Sequence, residues 1–184
     1  MISGVPQFEV LPGLPPYGPL AQPFSASGQG TQCEGFVVRF FPIEGDPWVG
    51  NFQPGLTSFR TAEAHPDGRR VIVISGGQGY VVDPNDRKAV DYLEAWYVYA
   101  VRVGELLILA TPVDLEAIGP EGRRWKTPEI SVDGLVELKV KADHQAITGL
   151  AYSPVVDIDA DDDWVEFEVE IQSGAVKGGA FGAL

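Results

Sequence analysis

From Glu34 onward the chain reads as short apolar runs bounded by Gly, Pro or Asp, and within several of them apolar and polar positions alternate. The clearest run is 164–171, where Val165, Phe167, Val169 and Ile171 fall on one face and three glutamates on the other. That period of two is the signature of a half-buried strand. The same reading predicts strands at 36–41, 56–61, 71–75, 80–83, 97–103, 106–110, 135–141 and 146–152. One stretch has helical character: residues 86–95 contain good helix formers, and Asn85 or Asp86 could serve as the N-cap after Asp83-Pro84, which predicts two or three turns at most.

Residues 1–33 break the pattern. They carry six of the fifteen prolines and a single charged residue, Glu9, which predicts an extended, partly polyproline arm. Phe8, Leu11, Leu14, Tyr17 and Phe24 make it too apolar for a free linker, so it is expected to dock on the body. The expected fold is therefore mainly β, with antiparallel sheets in a sandwich or blade-like arrangement and at most one short helix. The arm, 1–33, would lie on a single β domain, 34–184. A weak internal echo superposes Gly55–Phe59 on Gly134–Leu138 and brings His65 onto His144, with Trp48 and Trp125 each preceding a copy; two related halves would produce it.

Glu34-Gly35-Phe36-Val37-Val38-Arg39-Phe40, Trp48-Val49-Gly50-Asn51-Phe52 and Gly77-Gln78-Gly79-Tyr80-Val81-Val82-Asp83-Pro84 resemble the N-terminal half of a family of bacterial proteins of unknown function. Trp125, Ser131-Val132-Asp133-Gly134-Leu135 and the closing segment 164–179 resemble its C-terminal half. The resemblance covers most of the chain after residue 34 and implies a stand-alone bacterial protein. It implies no cofactor and no catalytic residue.

Composition narrows the partners. The chain has 184 residues, with 13 Lys and Arg against 26 Asp and Glu, a formal charge of −13 and a pI near 4.4. Such a field repels phosphate backbones and anionic lipid, which argues against nucleic acid and membrane surfaces as partners. Cys33 is the one cysteine, so no intrachain disulfide forms and a reducing, cytoplasmic setting is expected. The N-terminus lacks the basic and apolar regions of a secretory signal, and no apolar run is long enough to span a bilayer.

The acidic stretch Asp157-Ile158-Asp159-Ala160-Asp161-Asp162-Asp163 is the sharpest chemical feature. Asp157, Asp159 and Asp161 are candidate metal ligands, because carboxylates at alternate positions can converge on Ca2+, and Glu168 stands where the twelfth ligand of an EF-hand loop would fall. Against this, Asp162 occupies the position where the sharp turn needs glycine, and Glu168 belongs to a strand. A solvated hairpin loop is the plainer reading. The glycines of Ser75-Gly76-Gly77-Gln78-Gly79 precede a strand, whereas a phosphate cradle needs a helix N-terminus there, so a tight turn between strands is expected. His65 and His144 both sit in turn sequences and are read as exposed.

The aromatics offer candidate binding residues. Trp164 shares the glutamate-bearing face of its strand, where a lone indole calls for cover by a neighbouring element or a partner. Trp96 and Tyr97 belong to an aromatic concentration with Tyr92 and Tyr99 that could anchor an interface or pack in the core. Taken together, these features suggest a non-catalytic cytoplasmic binding protein whose acidic surface meets a basic protein partner. A small-ligand or calcium-binding protein or hydrolase with a carboxylate-lined cleft is one alternative, and an oligomeric scaffold built on open strand edges is another.

Overall fold

A computed structural model describes residues 7–28, 33–154 and 163–182. The fold is all-β: sixteen strands form four four-stranded sheets, and no helix occurs among the described residues. None is therefore long and apolar enough to cross a membrane. The chain divides into two compact units, Met1–Val98 and Tyr99–Leu184.

In the first unit, β1 (Gln7–Leu11), β2 (Gln22–Phe24), β3 (Phe36–Phe41) and β4 (Trp48–Phe52) form a sheet in the order β1-β3-β4-β2. β1 and β2 come from the proline-rich arm and flank the β3–β4 hairpin on opposite sides; β2 runs parallel to β4, and the other pairs of this sheet are antiparallel. Proline is tolerated there because an edge strand needs half of its donors at most. The second sheet is a meander of β5 (Thr61–Ala64), β6 (Val71–Ser75), β7 (Gln78–Asp83) and β8 (Lys88–Tyr92). Alternate residues of both sheets meet in one apolar layer: Phe36, Val38 and Phe40 with Val71, Val73, Tyr80 and Val82, joined by Phe24, Trp48 and Phe52. The layer is strongly aromatic, with Phe24 stacked on Phe52 at 4.7 Å and Tyr80 edge-on to Phe52 at 5.2 Å.

The second unit repeats the plan with two meanders. β9 (Tyr99–Val103), β10 (Leu106–Ala110), β11 (Leu115–Gly119) and β12 (Gly122–Lys126) make one; β13 (Leu135–Val140), β14 (Ala146–Tyr152), β15 (Trp164–Glu170) and β16 (Val176–Gly178) make the other. Their shared layer is mainly aliphatic, built from Ile108, Ala110, Leu115, Ala117, Leu135, Ile147, Val169 and Ile171 around Phe167. The glutamate face of β15 stays outside this layer, and Lys141 meets Glu168 there at 2.7 Å.

Three sequence expectations change. Residues 86–95 are not helical; they complete a turn and form β8. The Asp83 carboxylate accepts the Asn85 and Asp86 amides at 2.9 and 3.2 Å. An N-cap would make the same bonds, but Arg87 then adopts φ 53° and the chain reverses to pair with β7. Helix propensity is a weak term that strand pairing overrides. The strand expected at 56–61 starts at Thr61 instead, because the Gly55 amide bonds to Ser75 at the end of β6 and the Leu56 and Thr57 amides bond to the carbonyls of Ala95 and Gly76, outside any ladder. His65, expected to be exposed, is buried in the β5–β6 turn, with Nδ1 3.0 Å from Asp67 Oδ1. The turn folds over it through Gly68 N–H donating to His65 O and His65 N–H donating to Arg70 O. His144 lies exposed in the β13–β14 turn.

Candidate functional site

The most constrained surface of the first unit surrounds the β6–β7 turn. Gly76 and Gly77 have φ of 54° and 85°, the double positive φ of a two-residue hairpin turn. Segments on either side of the turn are laced to it. Gly55 N donates to Ser75 O at 2.8 Å, Thr57 N to Gly76 O at 2.9 Å and Gly77 N to Phe59 O at 2.9 Å. From the other side Tyr97 N donates to Gly77 O at 3.1 Å, while Gly79 and Leu93 exchange further bonds through Gly79 N to Glu94 O and Leu93 N to Gly79 O. The two segments also bond to each other, Thr57 Oγ1 to Tyr97 O at 2.8 Å and Leu56 N to Ala95 O at 3.3 Å. Gln78 Nε2 adds a bond to Leu93 O at 2.8 Å.

So close an approach of three backbones requires glycine. A Cβ on Gly77 would lie 2.6 Å from Thr57 Oγ1, and one on Gly55 would lie 2.8 Å from Ala95 O. On this fixed frame stand two large apolar side chains facing solvent, Leu56 at 70% and Trp96 at 54% exposure. A flexible loop could fold such groups inward; here Leu56 N donates to Ala95 O, and Trp96 is held between Ala95, which accepts that bond, and Tyr97, whose amide donates to Gly77 O. A solvent-facing Trp on tethered backbone is the kind of anchor an interface uses, since little of the backbone is left to order on binding, and Leu56 adds apolar area on the same frame.

The candidate binding residues are distributed as follows. Trp96 is exposed on the platform, while Tyr97 is fully buried beneath it and contributes through its backbone. Trp164 is half-buried in the second unit, edge-on to Tyr152 at 5.5 Å; a Cβ on Gly134 would come within 3.3 Å of its indole. Its cover is thus supplied by its own sheet. Trp48 and Trp125 are also tied down, their indole N–H groups donating to Pro84 O and Ile171 O at 2.8 Å. Leu56 carries no sequence signal as a binding residue: the sequence pattern places it inside a strand, and its exposure depends on the loop bonds of Leu56 and its neighbours.

The candidate metal ligands Asp157, Asp159 and Asp161 lie outside the described residues. Glu168, the position matching a twelfth loop ligand, is paired with Lys141, whose hydrogen bond holds the Glu168 carboxyl below its ordinary pKa. Among the described residues no three His, Cys, Asp or Glu side chains come together as a metal site. Elsewhere in the first unit, Asp67 anchors the turn over His65. Burial raises its pKa, but the Arg69 and Arg70 amides, the Arg70 guanidinium and the charge of His65 outweigh this and hold it at about 2.

No family model and no curated protein matches the chain. Among solved structures it is similar to a dihydro-heme d1 dehydrogenase, NirN, in complex with DHE, with a TM-score of 0.48 and 15% identity over 78% of this chain and 32% of that one. It is also similar to a eukaryotic initiation factor, with a TM-score of 0.37 and 11% identity over 80% of this chain and 40% of that one. The chain thus spans about a third of the length of the first of these structures and two fifths of the second, and at such values the likeness assigns it no property.

Proposed function

We propose that the chain is a non-catalytic binding protein that docks a basic polypeptide on the Leu56–Trp96 platform, with the cytoplasm, in keeping with its single free cysteine, as its setting. The observation that carries this reading is the exposure of two large apolar side chains on backbone locked by the β6–β7 turn. The formal charge of −13 supports a partner rich in Lys and Arg, because a field of that sign speeds encounter with cations and repels anionic competitors. In the bound state the partner's apolar side chains cover Leu56 and Trp96, and its cations face the acidic surroundings.

Selection of binders from a displayed random-peptide library against the full chain tests this at low and at physiological salt. The expected peptides pair Lys or Arg with aromatic or aliphatic residues, and their association slows as salt rises. Trp96→Ala is expected to weaken them by about 2 kcal/mol, or roughly 30-fold in Kd, with an unchanged melting temperature. Peptides that bind Trp96→Ala and Leu56→Ser as tightly as the unaltered chain would overturn the reading.

A further inference from the structure

A cavity of about 810 Å³ opens in the second unit where hairpin turns of both its sheets come together. Gly104 and Glu105 line it from the β9–β10 turn, Glu121 from the β11–β12 turn, Gly122 from the start of β12, and His144 and Gln172 from the turns after β13 and β15. Arg123 and Arg124 complete the wall. In a regular strand two consecutive side chains point to opposite faces, so both arginines should not reach one cavity. The ladder explains why they do: β11 residues Ala117 and Ile118 pair with Trp125 and Arg123, leaving Arg124 as the extra residue of a β-bulge. A bulge is the device by which a strand re-aims a side chain.

One of the two arginines is held from below. Glu116 lies in the otherwise apolar strand Leu115–Gly119 and is only 2% exposed, and its Oε2 is 2.8 Å from Arg123 Nε. Burying a carboxylate there is costly unless it is paired, so its place beneath Arg123 is a built feature of the strand. The pair does not simply close on itself, because Arg123 remains 53% exposed and an ion pair at its Nε side leaves the guanidinium's other donors for a second acceptor. Arg124 is exposed and forms no ion pair among the described residues. Two adjacent guanidiniums, one fixed and one open, are suited to an oxyanion. Glu105 and Glu121 on the same wall repel a bare anion but accept hydrogen bonds from hydroxyl groups.

The geometry points to a binding site for a small phosphomonoester of a polyol, its phosphate held by Arg123 and Arg124 and its hydroxyls by the carboxylates of Glu105 and Glu121. Glu116 is a positioning residue, acting through Arg123. The site lies in the second unit and is independent of the Leu56–Trp96 reading. The net charge of the chain disfavours anions at long range, so binding that does occur reports a local site and not a diffuse field.

Isothermal titration of the full chain with glycerol 3-phosphate, inorganic phosphate and glycerol tests the assignment. Glycerol 3-phosphate is expected to bind at least ten-fold more tightly than either of the others. Arg124→Ala, a change at an exposed bulge position, should weaken it at least ten-fold while Arg124→Lys retains part of the affinity, and Glu116→Gln should weaken it with Arg124 untouched. Should Glu116→Gln fail to fold, the two Arg124 variants decide alone. Equal affinity for inorganic phosphate and glycerol 3-phosphate, no binding of either, or undiminished binding to Arg124→Ala would overturn the proposal.

Discussion

In the first unit the layer between the sheets is aromatic, with Phe24, Phe36, Phe40, Trp48, Phe52 and Tyr80 in one cluster; in the second it is mainly aliphatic, with Phe167 as its buried ring. Their turn regions differ in the same sense. The first unit clamps a glycine turn with backbone bonds and sets Leu56 and Trp96 over it, whereas the second leaves an open cavity walled by ionisable side chains. Two units assembled from the same parts, paired four-stranded sheets, thus present opposite surfaces: one apolar and rigid, the other polar and concave. What a sheet pair offers to a ligand is decided at its turns, while the alternation of its strands settles only that it folds.

The comparison can be broken most sharply at the aromatic layer. Phe52 touches Phe24, Phe40 and Tyr80, so Phe52→Ala is expected to cost about 3–5 kcal/mol, read from urea unfolding. A loss below about 2 kcal/mol would mean that the rings contribute area alone. Next comes the clamp: Gly77→Ala puts a Cβ 2.6 Å from Thr57 Oγ1 at a φ of 85°. We expect a loss of about 1–3 kcal/mol and faster hydrogen exchange at the Thr57 and Tyr97 amides, and unchanged exchange would show that the turn does not hold the platform. In the aliphatic layer, Ile147→Val removes one methylene from a fully buried site and should cost about 0.5–1.5 kcal/mol, a contrast with Phe52 that sets the scale of the difference between units.

The last effect is electrostatic and confined to acid. Because the folded pKa of Asp67 is about 2, below its ordinary value of 3.8, its carboxylate contributes stability that is fully present above the unfolded value. That contribution is lost as pH falls from about 4 through 2. Asp67→Asn should therefore flatten the acid limb of the stability curve in this window, and a limb of unchanged steepness would remove Asp67 as its cause.

Much of the architecture was legible along the chain. The strands at 36–41, 71–75, 106–110 and 146–152 coincide with β3, β6, β10 and β14, because alternation or a bounded apolar run depends on little beyond the residues themselves. The arm hid two strands, since β1 is bracketed by Pro6 and Pro12 and β2 contains Pro23, and their pairing is supplied by β3 and β4. The stretch after Asp83 is instructive: the sequence offers Asn85 or Asp86 as an N-cap, but it is the Asp83 carboxylate that accepts the Asn85 and Asp86 amides. Since such bonds begin a helix or close a turn alike, the choice falls to the partner strand β7. Of the platform, Trp96 and Tyr97 were visible as part of an aromatic concentration that could anchor an interface or pack in the core, and Tyr97 does pack in the core. That Trp96 and Leu56 are exposed was not visible, because it follows from which carbonyls the loop amides find.

The sequence by itself determined the strand-rich class, the acidic field and the position of the glycine turn, all of which arise from local patterning or from summed charge. The tertiary structure decided register, and with it chemistry. Arg123 and Arg124 are neighbours that alternation would send to opposite faces; one extra residue in the β11–β12 ladder brings them to the same wall, and no count of residues along the chain contains that displacement.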